Sequence, residues 1–315
     1  MERPFFLANF SSQFGNKRYH FVVYGLPAIA SAIGSKTIAI VKTVDGEGWT
    51  VDDQRIATPG YKDQKFNEAQ QAIINVLEHL SIDTKNNKLE ITFTGDLVAA
   101  SGVGASAAQC TSLARALSEE FNLNLNDEKV NEAAYAGEMA YHGTPSGIDN
   151  TASTYGGLIW FVKNVSGGNN TIDRLKSAEK MHLIIANTGI TSSTAEVIAD
   201  VRKLREENPQ KFNNIFNEYE RIAKDAKNAL TKGDTDTVGK LMNQNHKLLQ
   251  LISVSAEIND KIVDTALNNG AIGAKMTGTG RGGLVIALTL DEDNQKIVSS
   301  AIEKEGFSTW KTTIG

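Results

Sequence analysis

The alternation of apolar and polar positions changes period several times along the chain. Lys36 to Val44 (KTIAIVKTV) is β-branched and partly alternating, and in LEITFTG the residues Leu89, Ile91 and Phe93 alternate with polar neighbours. Both patterns predict strands, the second with one buried face. Between them Ala69, Ile73, Val76, Leu77 and Leu80 share one stripe at helical spacing, which predicts an amphipathic helix over 66–80. A glycine-rich turn then leads into a stretch, 105–121, that predicts a helix, and Asn126 or Asp127 can cap a second helix running to about Tyr141. HGTPSG ends that helix. Gly156 to Lys163 (GGLIWFVK), His182 to Asn187 (HLIIAN) and Leu284 to Leu290 predict further strands. Residues 194–251 are helical in pattern, with breaks near Asn208-Pro209 and Lys232-Gly233-Asp234, and another helix is expected from about Ala256 to Asn269.

Strands and helices interleave in both halves, so the expected class is α+β. There are no internal repeats, heptads or low-complexity tracts. The best seam lies near residue 180, which gives an N-terminal domain over 1–180 and a C-terminal domain over 181–315. With 315 residues the chain can bury an ample core. A net charge of -5 argues against a general role on nucleic acids or membrane surfaces, and neither is an expected partner. A phosphate ligand stays open, because backbone N–H groups and a metal can hold it without a basic patch. One cysteine, Cys110, excludes an intrachain disulfide; it falls in the Ala-rich helix and reads as a small buried thiol. No apolar run is long enough for a membrane span, and Met1 to Phe10 lacks the apolar core of a signal peptide. The expected location is cytoplasmic.

Three clusters carry candidate chemistry. Ser101 to Ala108 (SGVGASAA) places a Gly-x-Gly turn between a strand and a helix N-terminus, where free N–H groups and the helix dipole can cradle phosphate. It is neither a Walker loop nor a dinucleotide fingerprint, and a tight turn with close helix packing remains the alternative. Glu138, in AYAGEMAYHG, and Asp149, in HGTPSGIDNTAS, form the second cluster. A glutamate on a small, apolar helix face invites a metal or a donor; the plainer readings are a solvated helix residue for Glu138 and an N-cap for Asp149. The third is KMTGTGRGG, Lys275 to Gly283, whose glycine density means close backbone approach, a hinge, or a hairpin-like turn. Arg281 within it could meet a phosphate or be solvated. His79 reads as solvated, His142 and His246 as helix-end packing or capping residues, and Trp49, Trp160 and Trp310 as packing residues. No Cys/His spacing resembles a zinc site.

Together, in this order and spacing, the three clusters resemble the motifs of the GHMP small-molecule kinases. The segment GEMAYHGTPSGIDNTASTYGG is most similar to the mevalonate kinase branch, supported by NTGITSST at 187–194, MNQNH at 242–246 and the pair Val254-Ser255. The resemblance covers roughly residues 20–315. It implies an N-terminal domain like ribosomal protein S5 domain 2 and a ferredoxin-like C-terminal domain. It implies ATP and Mg²⁺ as cofactors and mevalonate as substrate, and it is compatible with a homodimer. Carried over by position, Gly102, Val103, Gly104, Ala105, Ser106 and Ala107 would hold the ATP phosphates. Ser106 and Glu138 match the Mg²⁺-coordinating pair, and Asp149 the aspartate that accepts the substrate hydroxyl proton. His20 and Thr194 match positions near the substrate, and Gly278 lies in the loop that would close over the phosphates.

The first motif of the family departs from this pattern. The family's lysine falls on Gln13, and its Gly-Glu on Arg18-Tyr19, although His20-Phe21-Val22-Val23 is kept. Lys17 is four positions away, about 13 Å along a strand, too far to substitute without rearrangement. The departure leaves open a catalytically impaired, ligand-binding paralogue, beside a kinase for another small hydroxyl substrate.

Overall fold

The computed structural model describes residues 21–32, 34–99, 102, 104–190, 194–278 and 280–315. After a short 3-10 turn at Phe21–Tyr24 come strands β1 (Ala28–Ser31), β2 (Ile38–Val44) and β3 (Trp49–Asp53). Helices α1 (Tyr61–Gln64) and α2 (Phe66–His79), strand β4 (Lys88–Thr94), and helices α3 (Ala105–Glu120), α4 (Asp127–His142) and α5 (Ile148–Tyr155) follow. Strands β5 (Leu158–Val162), β6 (Thr171–Leu175) and β7 (Met181–Asn187) precede helices α6 (Thr194–Glu207), α7 (Pro209–Lys232), α8 (Thr235–Leu251) and α9 (Glu257–Asn268). Strands β8 (Gly273–Thr277) and β9 (Leu284–Thr289), helix α10 (Glu292–Lys304) and strand β10 (Ser308–Ile314) complete the chain. Two compact units result, one over 34–156 and one that joins 21–32 to 157–315.

In the first unit β4 is the central strand, antiparallel to β2 and parallel to β3. Leu89, Ile91 and Phe93 are its buried positions, as the alternation predicts. They form one core with Ile73, Val76 and Leu77 of α2, Cys110, Leu113 and Leu117 of α3, and Val130 and Ala133 of α4. Each large aliphatic chain removed from water here contributes on the order of 1.5–3 kcal/mol. Asn126 caps α4 by accepting from the Lys129 N–H, 2.9 Å. Close approach of α4 to its neighbours depends on Gly137: a Cβ there would lie 2.6 Å from Cys110 Sγ and 2.9 Å from Val76 Cγ2. That contact fixes the part of α4 that carries Glu138.

In the second unit β5 lies between β1 and β6, both antiparallel to it. A four-stranded antiparallel sheet, in the order β10-β7-β9-β8, is packed by α8, α9 and α10. β8 and β9 are buried along their whole length, which explains the unbroken apolar run of β9. The predicted helix breaks have clear causes. Pro209 occupies the first turn of α7, Gly233 ends that helix at φ 73°, and Asp234 caps α8 through the Thr237 N–H, 3.0 Å. Residues 273–277 of the glycine-rich segment are not turn but strand β8, so only 278–283 connect a β8–β9 hairpin. Among the described residues no helix is long and apolar enough to cross a membrane.

Candidate active site

The β4–α3 connection ends in two left-handed glycines, Gly102 at φ 84° and Gly104 at φ 65°. An L-residue in this conformation costs about 1–2 kcal/mol, so glycine is the residue the turn demands. Gly104 is the N-cap of α3 and has no side chain with which to cap the helix. Its first intrahelical bond runs from the Ala108 N–H to the Gly104 carbonyl, 3.0 Å. The N–H groups of Ala105, Ser106 and Ala107 therefore have no carbonyl one turn back and point out of the helix end. With the dipole they make an end suited to an anion. Val103 lies outside the described residues.

Glu138 is only 1% exposed, so it is not the solvated helix residue that its sequence allowed. Burial first, and then the negative charge of Asp149, push its carboxyl from 4.5 up to about 8; the Ser106 hydroxyl, a donor facing the same carboxyl, works against them. Asp149 is the second residue of α5, and Gly147, at φ 89°, is the N-cap; the capping reading of Asp149 therefore fails. Burial pushes the Asp149 carboxyl from 3.8 up to about 7. Glu138 Oε1 is buried and has no hydrogen-bond partner among the described residues. Two buried carboxyls beside a hydroxyl, with one oxygen unpartnered, suit a hard oxygen-seeking dication such as Mg²⁺. Among the described residues no group of three or more His, Cys, Asp or Glu is arranged to hold a metal. An ion here would draw its remaining ligands from water and phosphate, the usual habit of Mg²⁺. His142 Nε2 stands 3.6 Å from Glu138 Oε2, but burial and then the Lys65 charge push its pKa down to about 3, so the ring is neutral.

Beside the first turn of α3 opens a cavity of about 200 Å³. Ile73, Phe93, Phe66 and Tyr141 supply apolar walls, and Arg55 and Lys62 bring positive charge. Sequence reasoning missed this cavity, because its residues come from β3, α1, α2, β4, α3 and α4 and no local motif joins them.

Thr194 opens α6 and Gly278, at φ 82°, begins the β8–β9 connection, both in the second unit. His20, Gln13 and Lys17 lie outside the described residues. Arg281 is not simply solvated: its Nε donates to the Ser253 carbonyl, 3.1 Å, and its Nη1 to Asp200. His246 is buried in the interior of α8, not at its end; Nδ1 accepts from the Met276 N–H, 3.4 Å, and Nε2 lies 3.0 Å from Asp260 Oδ1. Cys110 is buried and its thiol is pushed well up by burial, so it is inert. His79 is exposed at the end of α2.

A left-handed glycine turn, a free helix N-terminus and two buried carboxyls thus meet within one unit of an α+β chain. Residues 67–157 match the family model for the GHMP kinases N terminal domain, and residues 226–308 the model for GHMP kinases C terminal. The chain belongs to the GHMP kinase family. Among its relatives is the mevalonate kinase of Thermococcus sibiricus, 30% identical over 306 residues that cover 91% of this chain and 89% of the relative. A crystal structure of L. major mevalonate kinase in complex with R-mevalonate is 39% identical, with a TM-score of 0.89 over 100% of this chain and 98% of the other. The Methanococcus jannaschii mevalonate kinase, 24% identical with a TM-score of 0.79, shares the fold.

Proposed function

We propose that the chain transfers the γ-phosphoryl group of ATP to the C5 hydroxyl of mevalonate, giving 5-phosphomevalonate for isoprenoid precursor synthesis. The observation that carries this reading is the pair of buried carboxyls, Glu138 and Asp149, with the half-buried Ser106 at the N-terminal end of α3, in a chain 39% identical along its length to a structure holding R-mevalonate. The N–H groups from Gly102 to Ala107 hold the phosphates, and the adjacent cavity accepts the nucleoside. Asp149 accepts the hydroxyl proton as the oxygen bonds to the γ-phosphorus and the bond to the β,γ-bridging oxygen breaks, releasing ADP. A carboxyl raised to about 7 is well matched to that task near neutral pH. Ser106 and Glu138 hold Mg²⁺, which, when bound, neutralises phosphate charge. His20, Thr194 and Gly278 are assigned to the substrate and phosphate side, and the two domains to 1–180 and 181–315.

Phosphoryl transfer is mostly positioning and charge neutralisation, so a lost motif-one lysine slows it without removing the need for Asp149. The test is a coupled ADP-release assay with Mg-ATP and a panel of mevalonate, phosphomevalonate, homoserine and galactose. Turnover confined to mevalonate is the expected result. Turnover with another acceptor alone would reassign the substrate, and a rise in melting temperature with ATP but no turnover would mark a ligand-binding paralogue.

A further inference from the structure

Arg55 follows β3 and is buried, its side chain 4% exposed. Its guanidinium makes a two-pronged pair with Asp53, Nε to Oδ1 at 2.9 Å and Nη2 to Oδ2 at 2.7 Å. Nη1 also donates to the Ala105 carbonyl, 3.3 Å, and Nη2 to Gln109 Oε1, 2.9 Å. The guanidinium carbon sits 5.3 Å from the centre of the Phe93 ring. Four of its five N–H groups are thus directed by fixed partners, a geometry that Lys cannot reproduce.

The two α3 contacts are informative. Ala105 and Gln109 are one turn apart, and Ser106 lies between them in the same turn. A cation at a helix N-terminus opposes the dipole, so stability alone gives no reason to place a guanidinium there. Asp53 offsets that cost: burial raises its carboxyl pKa, but the hydrogen bonds and charge of Arg55 more than compensate, and it stays below 3.8. Gln109 Oε1 accepts a second bond, from the Tyr141 hydroxyl at 3.1 Å. Tyr141 stands on α4 three residues beyond Glu138. One amide oxygen therefore ties the turn that bears Ser106 to the helix that bears Glu138, and Arg55 holds that oxygen in place.

We propose that Arg55 is a positioning residue for nucleotide binding, acting through Ala105, Gln109 and Tyr141 to preset Ser106 against Glu138. The inference rests on the kinase reading of this site. Its test is calorimetric binding of Mg-AMPPNP to the full chain, without turnover, for wild type, Arg55→Lys, Tyr141→Phe, Ser106→Ala and the Arg55→Lys/Ser106→Ala double variant. Arg55→Lys should weaken binding about tenfold and Tyr141→Phe about threefold in the same direction, as expected for lost buried hydrogen bonds. In the Ser106→Ala background the effect of Arg55→Lys should shrink to under about threefold, because the two changes share one pathway. A merely structural arginine would lower the melting temperature and weaken binding equally in both backgrounds, which would overturn the proposal. So would unaltered binding in both Arg55→Lys and Tyr141→Phe. Failure of the wild type to bind Mg-AMPPNP would instead remove the kinase reading, and this inference with it.

Discussion

Replacing Glu138 by Gln should make the ligand-free protein more stable at alkaline pH while disabling its site. Glu138 is buried beside Asp149 and its carboxyl pKa is raised from 4.5 to about 8. A carboxyl whose folded pKa exceeds its unfolded value contributes stability that is fully present below about pH 4.5 and is lost as pH rises through about 8. Each pH unit of difference corresponds to ~1.4 kcal/mol, so the ceiling on that loss is ~5 kcal/mol. Relaxation and water entry around the carboxylate bring the expected value to ~2–3 kcal/mol. Gln keeps the volume and the ability to pair with Ser106 but carries no charge. Urea unfolding in the presence of a chelator, at pH 5 and pH 8.5, gives the comparison directly. Wild type and Glu138→Gln should agree within ~0.5 kcal/mol at pH 5, with the variant ahead by ~2–3 kcal/mol at pH 8.5. Mg²⁺ should narrow the gap by stabilising the wild type alone. A variant that is less stable by the same amount at both pH values would refute the reasoning, because the carboxyl would then be a satisfied structural group.

Three further outcomes follow from particular contacts. Because Asp149 must be ionised to accept a proton and its carboxyl is raised to about 7, kcat/KM should climb about tenfold per pH unit below that value and level off above it; a flat profile between pH 5.5 and 8.5 would contradict the role. Gly137→Ala should cost ~1–3 kcal/mol in urea unfolding through the 2.6 Å encounter with Cys110 Sγ, and Cys110→Ala should restore part of it; equal losses with and without Cys110 would show that the helix contact is not the cause. Asn259 is fully buried and both donates to and accepts from Gly282 at 2.8 Å, so Asn259→Ala should lower stability by ~2–4 kcal/mol, and a loss under ~0.5 kcal/mol would mean that the β8–β9 connection is held by its other bonds.

The sequence was most legible where one periodicity ran long enough to be recognised. α2, β4 and the three-part helical stretch from 194 to 251 were readable because a stripe, an alternation or a Pro/Gly break marks each one. β1 and β3 were not, since four or five residues offer too little pattern, and β3 (WTVDD) is only half-buried with two acidic residues. β8 was hidden by its composition: Gly273 and the buried Lys275 look like loop residues until β9 pairs with them and α8 covers them. α10 reads as polar on most of its surface, and only Val298 and Ile302 anchor it strongly. The glycine turn, Ser106, Glu138 and Asp149 could be named as candidates from sequence because each motif is local. The Arg55 network could not, because its partners at 53, 105, 109 and 141 meet only after the sheet and helices have packed. Glu138 shows the limit of composition alone: an acidic residue in a helix defaults to solvent, and the small residues around it were the signal that it is buried.

The most direct measurement is a single-turnover reaction of the wild type and Asp149→Asn with γ-labelled Mg-ATP and mevalonate, with the labelled product identified by mass spectrometry. The wild type should place label on the C5 oxygen of mevalonate, and Asp149→Asn should react at least about a hundredfold more slowly, with Mg-AMPPNP affinity kept within about threefold. Label on mevalonate at an equal rate in both proteins, or on no acceptor despite tight binding of both ligands, would contradict that expectation.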